Sequence, residues 1–244
     1  MTQAVADTRL NTTRLISLLS SLTDRSATLP RNQVAQGLGR MIDLPDSISI
    51  ADTLDKLPRS KPGETGMQAD PVLRLQRGHA AMIKTVTGSL SMGSSPARIT
   101  LGMFVEPAAG KDGALQPAPD YQAYLKLHAA LQRDLDFKAR TLQADIRKCL
   151  AQHSRNSARL AAIDGALAEP IARRSRALFA KIPGLLQAHF QAIAAQADVP
   201  EEAVQQQLSD TLQTVLLAEI EARLLPALGL IEALEEEVDT QTYE

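Results

Sequence analysis

Along most of this chain the apolar positions recur every three or four residues, the spacing of one face of an α-helix. Leu15, Leu18, Leu19 and Leu22 share such a face, and Asn11 or Thr12 is placed to cap the helix that carries them. Pro30 suits the first turn of a second helix with Val34, Leu38, Met41 and Ile42 on its inner side. Ile50, Leu54 and Leu57 mark a short third helix that stops at Pro58. These predict a small N-terminal helical head over residues 1–58. Residues 59–119 then read as a linker carrying one helix, from Val72 to about Leu90, followed by a mobile Gly/Pro/Ser-rich loop, Ser91 to Pro119. Within that loop "RITLGMFV" has strand-like character but no second strand to pair with, and is taken as loop.

From Asp120 the pattern lengthens. Asp120 is a plausible N-cap for a helix reaching about Gln152, with Leu131, Leu135, Leu142, Ile146, Cys149 and Leu150 on its inner stripe and Tyr124 and His128 near its start. A second long helix is expected from about Ser154 to Gln196, interrupted or kinked at Pro170 and Pro183. A third opens at Pro200, with Glu201 and Glu202 at its positive end, and continues past a bend at Pro226 to about Val238. Residues 120–244 thus predict a long antiparallel three-helix bundle, and the chain as a whole an all-α fold.

Composition supports helices over a sandwich. Of the 244 residues 44% are hydrophobic, but only 3% are aromatic and none is Trp, so Leu, Ala, Ile and Val must build the core. The single Cys149 excludes an internal disulfide, and no run approaches the length of a membrane span. The N-terminus reads as an amphipathic helix and not as a signal peptide, which points to the cytoplasm.

Charge adds segregation. The formal net charge is −2, yet Tyr121–Pro200 holds 12 basic and 6 acidic residues, a net of +6. Glu201–Glu244 holds 1 Arg and 11 acids, a net of −10. In "EPIARRSRALFAKIPG", at about 100° per residue, Arg173, Arg174, Arg176 and Lys181 fall away from Ile171, Leu178 and Ile182, and Arg155 and Arg159 join the same edge if the helix is unbroken. These six are candidate contacts for an acidic partner or for nucleic acid. Glu232, Glu235, Glu236 and Glu237 are candidate contacts for a basic partner. The basic edge is alternatively a solvated face, or one paired with the chain's own acidic helix. No aromatic residue interleaves the cations to stack bases.

Catalytic motifs are not evident. "AAGKDG" lacks the leading glycine of a phosphate loop, and Asp112 stands where Ser or Thr would hold magnesium. Gly37 and Gly39 lack the third glycine of a dinucleotide fingerprint. Cys149 and His153 lie one turn apart without a third ligand, and His79, His128 and His189 are isolated. No catalytic residue, cofactor or metal is therefore assigned, although a site assembled from scattered side chains stays open.

"TTRLISLLSSLTDRSATLPRNQVAQGLGRMIDLPDSISIADTL", the central "ARLAAIDGALAEPIARRSRALFAKIPGLLQAHF" and "LLAEIEARLLPALGLIEAL" resemble a proteobacterial family defined as a domain of unknown function. The resemblance implies a setting beside a flagellar-stator-like membrane protein and a peptidoglycan-binding partner, as in a type III Zorya-like anti-phage system. By that analogy the chain is a non-enzymatic cytoplasmic adaptor or effector subunit with protein partners and no direct membrane insertion. The alternative is a nucleic-acid-binding protein using the basic edge.

Overall fold

The computed structural model describes residues 14, 15, 18, 19, 21, 22, 51–53, 55, 56, 70–90, 97–105, 120–195 and 199–242, with the backbone alone for 238–242. In order these give α1 (Pro71–Leu90), a 3-10 turn (Leu101–Phe104), α2 (Tyr121–Ala151), α3 (Arg155–Phe179), α4 (Ile182–Ala194) and α5 (Glu201–Thr242). No strand occurs among the described residues, and the fold is all-α. Most of the head expected over 1–58, the linker after it and much of the loop before Asp120 lie outside the described residues. Of that loop, Thr100 leads into the 3-10 turn, which buries Leu101.

Side-chain caps explain where the helices begin. Asp70 accepts a hydrogen bond from Val72 N at 2.9 Å to open α1. Asp120 accepts from Ala123 N at 3.0 Å to open α2, and Ser154 from Ser157 N at 2.9 Å to open α3. Glu201 and Glu202 occupy the first turn of α5, where the helix dipole favours negative charge.

The helix break expected at Pro183 is present, and Pro170 does not interrupt its helix. Pro170 lies inside α3 and Pro226 inside α5, and both helices run through them. The break comes at Ala180 and Lys181, just ahead of Pro183. Pro183 has no N–H to continue α3, but near the start of α4 the missing donor costs nothing. Restarting the helix resets its buried face. Leu178, expected inside, is 55% exposed, whereas Ile182, Leu186, Phe190 and Ile193 of α4 are buried.

The chain divides into two compact units. Among the described residues, the first takes in 14–22, 79–138 and 181–223, and the second 51–78, 139–180 and 224–242. In the first unit Leu127, Leu131 and Leu135 of α2, Leu186 and Phe190 of α4, and Leu212, Val215 and Leu216 of α5 are buried, and so is Leu15. Full burial of each such leucine is worth about 1.5–3 kcal/mol. Here α2 and α5 run in the same direction, since His128 meets Glu219 and Asp136 meets Arg223. In the second unit α2 and α3 are antiparallel, with Arg147 on Asp164 and Arg140 on Glu169.

Also in the second unit, α1 approaches α2 closely at Gly78. A Cβ there would lie 2.5 Å from Leu142 Cδ2. Gly229, inside α5, has open space around it. Opposite outcomes are expected at the two glycines. Gly229→Ala is expected to stabilise by about 0.5–1 kcal/mol through helix propensity. Gly78→Val is expected to destabilise by about 1–3 kcal/mol through overpacking. Urea denaturation of both variants measures the difference.

Candidate functional site: charged helix faces and a buried polar cluster

The basic edge is borne by α3. Arg155, Arg159, Arg173 and Arg176 are exposed and Arg174 is half-buried. Arg155 sits in the first turn of α3, where the helix dipole disfavours cations, and Arg159 follows one turn on, where like charges repel. Among the described residues neither makes an ion pair or side-chain hydrogen bond, although the Glu237 carboxylate lies at the same end of α3. Arg176 is engaged, donating from Nη2 to Glu169 Oε1 at 2.6 Å and from Nε to the Ala172 carbonyl at 3.3 Å. Lys181 is exposed but is the N-cap residue of α4, outside α3 altogether. The continuity assumed for it in the sequence ends at the α3–α4 break.

Glu169 modifies this edge. It is exposed and lies about 40° around α3 from Arg173, on the arc occupied by the arginines. It contacts Arg140 at 3.7 Å as well as Arg176. The edge is consequently a mixed pattern and not an unbroken cationic stripe.

At the acidic end of α5, Glu235 and Glu236 are exposed and Glu232 is half-buried. Glu237 is used within the second unit. Its Oε1 accepts from Ser154 Oγ at 2.6 Å and its Oε2 from Ser157 Oγ at 2.5 Å. The carboxylate therefore sits at the N-terminus of α3, a favourable place for negative charge, and couples the end of α5 to the cap of α3.

The first unit contains a polar cluster between α2 and α5. His128 and Glu219 are both 0% exposed. His128 Nε2 faces Glu219 Oε1 at 2.7 Å and donates to it. Gln132 Nε2 donates to both Glu219 oxygens at 3.2 and 3.1 Å. Arg223 donates to Glu219 Oε2 at 3.2 Å and to Asp136 Oδ1 at 2.8 Å. His128 Nδ1 is buried and has no hydrogen-bond partner among the described residues. Nearby in the sequence, Glu221 accepts from Arg14 at 3.1 Å.

No group of three or more His, Cys, Asp or Glu side chains among the described residues is arranged to hold a metal ion. Cys149 is free and buried in the second unit. No helix among them is long and apolar enough to cross a membrane.

A protein family described as "Protein of unknown function (DUF3348)" matches residues 1–236. The chain belongs to the DUF3348 family. No curated protein and no solved structure matches it significantly. In this DUF3348 protein the sequence pattern had signalled the charged faces but not the buried cluster. The usable signal was register: His128 falls with Tyr124, Leu131 and Leu135, and Glu219 lies among Leu212, Val215, Leu216 and Ile220. Two ionisable residues at core positions of different helices are candidates to pair, because either alone would be costly to bury.

Proposed function

We propose that this DUF3348 protein is a non-enzymatic helical adaptor that docks a protein partner with an acidic contact surface through the arginine edge of α3. We further propose that it works in the cytoplasm as an accessory to a stator-like membrane motor of the type III Zorya-like anti-phage kind. The setting rests on the sequence resemblance; the docking surface rests on Arg155 and Arg159. Both are exposed and unpaired within the described residues, and as like charges one turn apart they repel, so an acidic partner surface is favoured here. Glu169 within the same arc favours a protein surface of mixed charge over a polyanion, whose phosphates it repels. The adaptor reading is also supported by the His128–Glu219 pair, which is 0% exposed and so offers no surface for general acid–base chemistry on a bound substrate.

The test is a double charge reversal, Arg155→Glu with Arg159→Glu, titrated against the cytoplasmic part of the stator-like membrane protein. Binding is expected to weaken about tenfold or more, a scale that charge reversal at a complementary interface reaches. Stability is expected to change by about 1 kcal/mol or less, because a first-turn Glu at 155 is favoured by the helix dipole but repelled by the Glu237 carboxylate at the same end. Unchanged affinity would remove this edge from the interface. Salt-sensitive binding to duplex DNA, lost in the same variant, would replace the protein partner with nucleic acid.

A further inference from the structure

We propose that the buried cluster centred on His128 and Glu219 sets the register of α2 against α5 in the first unit. The apolar seam discriminates weakly between registers. Around the cluster it is built of Leu127, Leu131 and Leu135 on α2, and of Leu212, Val215, Leu216 and Ile220 on α5, all of them buried. Sliding one helix by a turn, about 5.4 Å, sets leucine against a similar aliphatic residue and changes the buried apolar surface little. The polar groups are not interchangeable in this way. Glu219 receives His128 at 2.7 Å, Gln132 at 3.2 and 3.1 Å and Arg223 at 3.2 Å. Arg223 in turn reaches Asp136 on α2 at 2.8 Å. The donors and acceptors on α2 thus span His128 to Asp136, and those on α5 span Glu219 to Arg223. A one-turn slip separates both pairs together and leaves a carboxylate with 0% exposure facing aliphatic side chains.

The construction also argues against stability as the cluster's main contribution. Two fully buried ionisable groups carry a desolvation cost, and His128 Nδ1 remains without a partner. Polar networks of this kind are commonly matched or exceeded in stability by apolar replacements of similar volume, whereas a buried polar contact can fix a single helix register. The inference is therefore selection among packings, with charged and apolar versions of the seam both able to fold.

The experiment replaces both partners, His128→Leu with Glu219→Leu, in the full chain with Cys149→Ser. Nitroxide labels on the exposed positions Arg133 of α2 and Asp210 of α5 report the register as an inter-label distance. The parent is expected to give one narrow distance. The double-Leu protein is expected to unfold cooperatively at an equal or higher urea midpoint, yet to give a second distance population or a distance shifted by a few ångströms. A companion protein with His128→Gln and Glu219→Gln keeps polar donors and acceptors in place and is expected to retain the parent distance. One narrow, unshifted distance in the double-Leu protein would overturn the proposal. So would loss of cooperative unfolding in that protein, because the cluster would then be supplying stability instead of selecting a register. A shifted distance in the double-Gln protein would overturn it as well.

Discussion

Replacing Glu219 by Ala is expected to destabilise the protein by about 3–5 kcal/mol, a large share of the total stability of a domain. The substitution removes the acceptor that His128 Nε2 meets at 2.7 Å and leaves the imidazole at 0% exposure with neither nitrogen hydrogen-bonded to this carboxylate or to any other shown partner. It also takes away an acceptor of Gln132 and a carboxylate that Arg223 contacts. The loss exceeds that of an ordinary surface ion pair because the groups left behind cannot turn to water. Arg14→Ala supplies the contrast. Its guanidinium contacts Glu221 at 3.1 Å, but the Arg14 side chain is 52% exposed, so its removal is expected to cost about 1 kcal/mol or less. Urea denaturation monitored by helical circular dichroism measures both. Equal small effects would mean that the Glu219 contact contributes no more than an exposed pair.

Phe190→Ala is expected to cost about 3–5 kcal/mol as well, by a different route. Phe190 is 0% exposed and meets Tyr124 edge to face, with ring centroids 6.3 Å apart and an interplanar angle of 71°. Truncation leaves a cavity between α4 and α2 in the first unit, and the loss of the aromatic pair adds to the lost burial. Phe137, 65% exposed, is the control: its truncation is expected to change stability by about 0.5 kcal/mol or less. A comparable loss at both positions would contradict the assignment of Phe190 to the core.

Tyr124 adds a pH signature to the same contact. Burial raises its phenol above the ordinary value of 10.0, and its hydroxyl donates to the Gln205 carbonyl at 3.3 Å. Below pH 10 the phenol is neutral in both folded and unfolded chains, so it contributes no slope. Above that pH the unfolded chain ionises first, and stability falls until the folded phenol also ionises. Tyr124→Phe is expected to remove this alkaline component while costing about 0.5–1.5 kcal/mol for the hydrogen bond.

The legible parts of the fold were those written in local chemistry. Asp120 ahead of an apolar repeat, Ser154 after a broken one, and Pro200 followed by two glutamates each announced a helix start that the structure contains. Leu178 was less legible because its face depends on where α3 ends. The helix stops at Phe179 and restarts after Lys181, so a single wheel drawn through both helices assigns the wrong inner face and joins Lys181 to an edge it does not share. His128 and Glu219 are separated by 91 positions, and their partnership depends on the pairing of α2 with α5, which no local pattern specifies. The same holds for Glu237. Read along the chain it is one acid in a run; in the fold it accepts from the two serines that open α3. The arginine edge was visible as residues, but Glu169 within its arc was visible only once α3 was known to run unbroken through Pro170.

The docking role of α3 is tested most directly by equilibrium titration of the unmodified protein with the cytoplasmic part of the stator-like membrane protein, and in parallel with duplex DNA, at low and at physiological salt. Saturable binding to the protein is expected to persist at physiological salt and to weaken moderately with added salt, with no comparable binding to DNA. Saturable DNA binding that collapses steeply with salt, alongside no binding to the protein partner at either concentration, would contradict it.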